Sequence, residues 1–145
     1  MFQNPTDAER AKLLKEAKNI AVVGCSDKPE RTSYLIAAAL QDAGYRIFPV
    51  NPYLTGPVLG EKPYRSLSEI NEPIDIVNVF RRSEEVFPIA EEAVKVRAKA
   101  IWMQIGVWNE EAAELAAENG LIVIMDRCIK VDHAILLGKR SAREG

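Results

Sequence analysis

Five short apolar runs constrain this chain more than anything else in it. They are "IAVVG" at 20–24, "YRIFPV" at 45–50, "IDIVNVF" at 74–80, "KAIWMQIG" at 99–106 and "LIVIM" at 121–125. The first, "IAVVG", is continuous, not alternating, which is what a strand buried on both faces needs. Between the runs lie stretches with helical spacing, so strand and helix alternate along the chain. That alternation implies right-handed crossovers and a parallel sheet covered on both sides.

The helix boundaries are written locally. Thr6 followed by Glu9 is a capping-box pair, and Leu13, Leu14 and Ala17 continue it as a helix over roughly 7–17. Thr32 or Ser33 is expected to cap a second helix that Gly44 stops. Ser83 is expected to cap a third at about 84–97, and Asn109 a fourth that ends at Gly120. "IKVDHAILLG" closes as a short helix. Residues 52–73 carry four prolines and two glycines, a long connection with a small hairpin and one helical turn at 67–70. Pro49 marks the place where the second strand loses its ladder. The expected fold is α/β, a Rossmann-like doubly wound five-stranded parallel sheet in the order 3-2-1-4-5. At 145 residues it reads as one domain, with its core at about 15–137.

Nineteen basic against twenty-one acidic residues leave a net charge of -2, which argues against a partner bound by bulk charge such as nucleic acid. The longest apolar runs are far too short to span a membrane. Cys25 and Cys128 are too far apart in sequence to suggest a disulfide framework or a metal motif. The expected location is cytoplasmic.

In sheets of this kind ligands lie beyond the carboxyl ends of the strands. The first loop there, "GCSDKPERTS", places Ser26, Lys28, Arg31, Thr32 and Ser33 around a helix start, after Gly24. Free N–H groups, the helix dipole and two cations make an anion site. A Walker loop is absent. A dinucleotide loop would carry three glycines and an acid after the second strand, whereas this chain has one glycine and ends that strand in Val50-Asn51-Pro52. The third strand ends in Phe80-Arg81-Arg82, and the fourth in Gln104 and Gly106.

Taken together, "GCSDKPERTS", "PVNP", "FRRSEEV", "IWMQIGVWNEEA" and "MDRCIKVDH" resemble the small stand-alone CoA-binding proteins. These are similar to the amino-terminal domain of the succinyl-CoA synthetase alpha subunit and of ADP-forming acyl-CoA synthetases. The resemblance covers roughly residues 15–137. It implies coenzyme A or an acyl-CoA as ligand, with the diphosphate on Gly24, Ser26, Lys28, Arg31 and Ser33. It further implies adenosine by Val50, Asn51 and Pro52, and the pantetheine arm along Phe80, Arg81, Gln104 and Gly106.

The synthetases keep their phosphorylated histidine in a second domain. Here the single histidine, His133, stands in the last helix beside Asp132. No catalytic set and no metal site can be argued, so the expectation is a binding protein without catalytic machinery of its own. The alternatives are a CoA-binding subunit of an acyl-CoA ligase or transferase completed by a partner, an NAD(P)-binding redox module, and an interaction protein with a vestigial pocket. Two local expectations complete the reading. Asp126 and Arg127 pair with each other. Cys25, beside a helix start and Lys28, is either a packed inert thiol or one with a lowered pKa.

Overall fold

The computed structural model of the chain describes residues 2–144, with side chains as far as Gly138. Five strands, β1 (Asn19–Val23), β2 (Arg46–Val50), β3 (Ile76–Val79), β4 (Ala100–Met103) and β5 (Ile122–Ile124), pair in parallel as one sheet. Five helices accompany them: α1 (Asp7–Glu16), α2 (Thr32–Asp42), α3 (Val86–Lys95), α4 (Glu110–Glu118) and α5 (Ile129–Glu144). The α/β fold is as expected, but the strand order corrects the sequence reading. It is 2-1-3-4-5, not 3-2-1-4-5.

Pro49 supplies the physical reason. In register with Val22, it sits in a strand whose neighbouring residue, Val50, accepts from Gly24 N toward β1 at 2.8 Å. Pro49 therefore turns its missing N–H to the other side, and a second full strand there would lose a bond. β2 stays at the edge, met on its outer side by Tyr64, whose N–H donates to Pro49 O at 2.9 Å. The chain then recrosses β1 through the long connection and lays β3 on the far side. That connection contains the expected hairpin, bridged between Val58 and Glu61, and the expected turn at Leu67–Glu69.

Alternate strand residues feed two core layers. Ile20, Val22, Ile47, Ile76, Trp102 and Ile124 pack with α1, α2 and α5. Ala21, Val23, Phe48, Val77, Ile101, Met103 and Val123 pack with α3 and α4. Trp102 is wholly buried, and its indole donates to Arg127 O at 2.8 Å.

The helix starts differ in one informative way. α1 has the complete capping box, with Glu9 N donating to Thr6 and Thr6 N to Glu9. α4 is capped by Asn109, which accepts from Ala112 N at 2.9 Å. α2 has Arg31 at its cap position and no side-chain cap, so neither Thr32 nor Ser33 plays the expected role. Nor does Ser83 cap α3. It opens a short 3-10 turn, Ser83–Glu85, and its hydroxyl accepts from Trp108 N at 2.9 Å. The expected short last helix begins at Ile129 and breaks at Gly138 (φ 76), after which α5 resumes to Glu144.

Beyond β5 the sheet edge is covered by the amino-terminal segment. The Asn4 side chain donates to Met125 O at 2.9 Å and accepts from Met125 N at 2.8 Å, as a neighbouring strand would.

Candidate functional site

With the order 2-1-3-4-5, the crossovers reverse direction between β1 and β3, and a crevice opens at their carboxyl ends. Gly24 leaves β1 at φ +86, and a Cβ there would lie 2.3 Å from the Phe80 carbonyl oxygen. Glycine is required because two main chains nearly touch. The same Cβ would stand 3.4 Å from Arg81 Nε, so that guanidinium lies over the start of the loop.

From Gly24 the loop is fixed by its own polar groups. Ser33 Oγ accepts from Ser26 N at 2.9 Å, and Ser26 Oγ accepts from Lys28 N at 3.0 Å. Asn51 ties the end of β2 to the loop, donating to Cys25 O at 3.0 Å and accepting from Tyr53 N at 3.1 Å. Side-chain bonds thus shape the loop, while the first N–H groups of α2 keep no side-chain acceptor.

A cleft of about 600 Å³ lies over this helix start, walled by the loop, α2's first residues, Asn51, Tyr53, Leu54, Phe80 and Arg81. It gathers Gly24, Ser26, Lys28, Arg31, Ser33, Asn51, Phe80 and Arg81 of the predicted set. A second cleft of about 560 Å³ shares Phe80 and Arg81 and continues past Gln104 and Gly106. Val50 and Pro52 are not among the wall residues. The Val50 side chain is buried in the core, and Pro52 is on the exposed turn.

Charge is divided unevenly. Lys28, Arg31 and Arg81 take part in no ion pair among the described residues, whereas Arg82 is engaged by Glu84 and Glu85. Two acids, Asp27 and Glu30, also line the first cleft, leaving three cations against two anions. Sequence reasoning missed them as wall residues, along with Tyr53, which is 83% exposed. An aromatic residue two positions after Asn51 is the available signal.

Three further expectations are settled by contacts. Asp126 does not pair with Arg127; it accepts from Gly106 N at 2.6 Å, while Arg127 grips Asp132 with two bonds of 2.8 and 2.7 Å. Arg10 also donates to Asp132 at 2.9 Å, so this 1%-exposed carboxylate is committed to two guanidiniums and not to His133. His133 stacks edge-on with Tyr45 near the amino end of β2, and burial lowers its pKa. Burial, with a smaller contribution from Asp27, pushes the Cys25 thiol up to about 11. The helix start does not activate it. Of the two alternatives, the structure favours the packed thiol, wholly buried in the core.

A larger hollow, about 740 Å³, lies at the opposite edge beside the amino-terminal segment, Asp75 and Lys99. Its helix start is the one already closed by the Thr6–Glu9 box, and its buried acid, Asp75, accepts from Lys18 N and Asn19 N. Volume alone does not make it the better anion site.

Fold, switch point and basic cleft together define an α/β protein with a crevice at the carboxyl edge of its sheet. The chain belongs to the CoA binding domain family, whose model matches residues 18–134. It is 53% identical over 134 residues to the uncharacterized protein YneT of Bacillus subtilis, covering 92% of this chain and 98% of that one. A hypothetical protein from Pyrococcus horikoshii superimposes with a TM-score of 0.89 at 36% identity, covering 95% of this chain and 99% of the other. A more distant likeness, 24% over 128 residues, is to an ADP-forming acetate–CoA ligase of Methanocaldococcus jannaschii. It covers 83% of this chain but only 18% of that protein.

Proposed function

We propose that this protein binds coenzyme A, or an acyl-CoA, along the carboxyl edge of the sheet, without catalytic machinery of its own. The observation that carries the proposal is the uncapped start of α2, which opens into a cleft bearing Lys28, Arg31 and Arg81. The diphosphate sits on the α2 N–H groups, with those three cations around it. Adenosine lies toward Asn51, Pro52 and Tyr53, where no acid follows β2 to repel a 3′-phosphate. The arm passes Phe80 into the second cleft, toward Gln104 and Gly106. Membership of the CoA binding domain family supports the ligand class.

The chain acts as a single domain in the cytoplasm, where its two free cysteines need no partners. A second reading is favoured by the distant match to part of an ADP-forming ligase. In it the domain is one subunit of an acyl-CoA ligase or transferase that a partner completes. Native mass spectrometry of protein freshly purified from cells tests the first reading. A retained mass equal to CoA or an acyl-CoA is expected, and a retained nicotinamide dinucleotide would overturn it. Co-purification with a ligase-like chain would favour the second reading.

A further inference from the structure

Asn78, in the middle of β3, is an oddity: a fully buried amide in an otherwise apolar strand. Its Nδ2 donates to Trp102 O at 3.3 Å and to Gln104 Oε1 at 3.1 Å. Because Trp102 O is a main-chain acceptor, the side chain cannot be turned round without losing that bond. Its Oδ1 is consequently left with no partner among the described residues, a penalty that an apolar residue here would avoid. Gln104 is held just as firmly. Its Oε1 accepts a second bond, 3.0 Å, from Ile129 N at the start of α5. That main-chain donor fixes which end of the Gln104 amide is oxygen.

The consequence lies on the other side of Gln104. Its backbone is occupied, with N donating to Val79 O and O accepting from Val107 N, yet the residue forms part of the wall of the second cleft. Nε2 has no acceptor among the described residues. With Oε1 spent on Asn78 and Ile129 N, the end of this amide left for a ligand is the donor, and Gln104 keeps 6% of its surface exposed.

We infer that Gln104 is a polarity filter for the ligand's arm, and that Asn78 is the positioning residue that holds it donor-outward. β4 lies two strands from β1, so Gln104 is about 10 Å across the sheet edge from Gly24. Resting on the CoA reading above, that span reaches the middle of the pantetheine arm, short of the thiol. The group selected there is an amide carbonyl, an acceptor. Arm-less adenine nucleotides do not reach it.

The test compares CoA with adenosine 3′,5′-bisphosphate, which lacks the arm, by calorimetry on the full chain. Gln104→Glu keeps an acceptor for Asn78 and Ile129 N but turns the outward donor into an anionic acceptor. Gln104→Met, carried alongside, removes the outward donor without adding charge. Both are expected to weaken CoA by roughly tenfold and to leave the bisphosphate within about twofold. Lowering the pH until the introduced carboxylate is protonated restores an O–H donor and should recover CoA affinity in Gln104→Glu alone. Asn78→Leu, which removes one of the two donors that hold Gln104 Oε1 and leaves only Ile129 N, should lower the CoA-to-bisphosphate affinity ratio in the same direction. If both Gln104 variants bind CoA as the unaltered protein does, or lose both ligands equally, the filter is wrong while CoA binding stands. If the unaltered protein binds neither ligand, the proposed function fails and the filter with it.

Discussion

A single carbonyl decides what residue 24 can be. Any side chain there would meet the Phe80 oxygen at 2.3 Å and adopt a left-handed backbone as well. Gly24→Ala must push β1 away from β3 at the mouth of the crevice. The two effects together should cost at least about 2 kcal/mol, readable in urea denaturation. A variant as stable as the parent would mean the two strands do not approach this closely. The neighbouring Cys25 teaches the opposite lesson about reading a residue from its setting. Its loop position beside Lys28 suggests activation, yet the side chain turns into the core, and burial outweighs the helix start. Alkylation by iodoacetamide at neutral pH should leave Cys25 unmodified in the folded protein while Cys128, half-buried, reacts. Equal rates would contradict this placement. His133 gives a pH signature. Its folded-state pKa lies below the ordinary 6.5, so the unfolded chain binds the proton more readily. Stability is therefore full above about pH 6.5 and falls as the pH drops through that region. His133→Gln should flatten that part of a stability–pH curve, and an unchanged slope would remove His133 as its source.

Among the helices, α2 is distinguished by what it lacks. α1 and α4 are closed by Thr6 and Asn109, whereas α2 begins at Arg31 with its first N–H groups open toward the cleft. A helix start left uncapped gives up stability that a ligand anion then supplies. Arg31→Asp should make the exchange visible. It adds a capping carboxylate, raising stability of the free protein by about 1 kcal/mol, and it weakens CoA binding by removing a cation and occupying the N–H groups. Lower stability with unchanged affinity would contradict this account of the helix. Most boundaries of these elements are legible in the sequence, because capping pairs, glycine stops and apolar runs are local signals. The caps of α2 and α3 are not. Thr32, Ser33 and Ser83 are all good capping residues, but Ser33 is taken by Ser26 N within the loop and Ser83 by Trp108 N across the fold. Sequence spacing carries no record of such contacts.

For the whole molecule, the parallel α/β architecture follows from alternation alone, while the order of strands does not. The clue to the order is present in Pro49. Taken locally it marks the end of a ladder, whereas a strand interior with a missing N–H points to the sheet edge. Placing β2 at the edge moves the reversal of the crossovers to β1 and β3, the very strands that end in Gly24 and Phe80. The candidate site gains from that correction, since the two clefts meet at Phe80 and Arg81. The places of Asp27 and Glu30 in the cleft wall and the inward turn of Val50 depend on side-chain direction, which spacing does not encode. CoA and NAD both carry adenosine and a diphosphate, so the first loop alone cannot choose between them. The choice rests on the two ends, where this chain has Asn51 in place of an acid and a second cleft that continues past Phe80 to Gln104. The decisive measurement is a titration of CoA, dephospho-CoA and NAD at one fixed salt concentration. CoA should bind at least roughly tenfold tighter than NAD, about 1.4 kcal/mol, with dephospho-CoA between them. NAD binding as tightly as CoA would contradict the account and put the redox reading in its place.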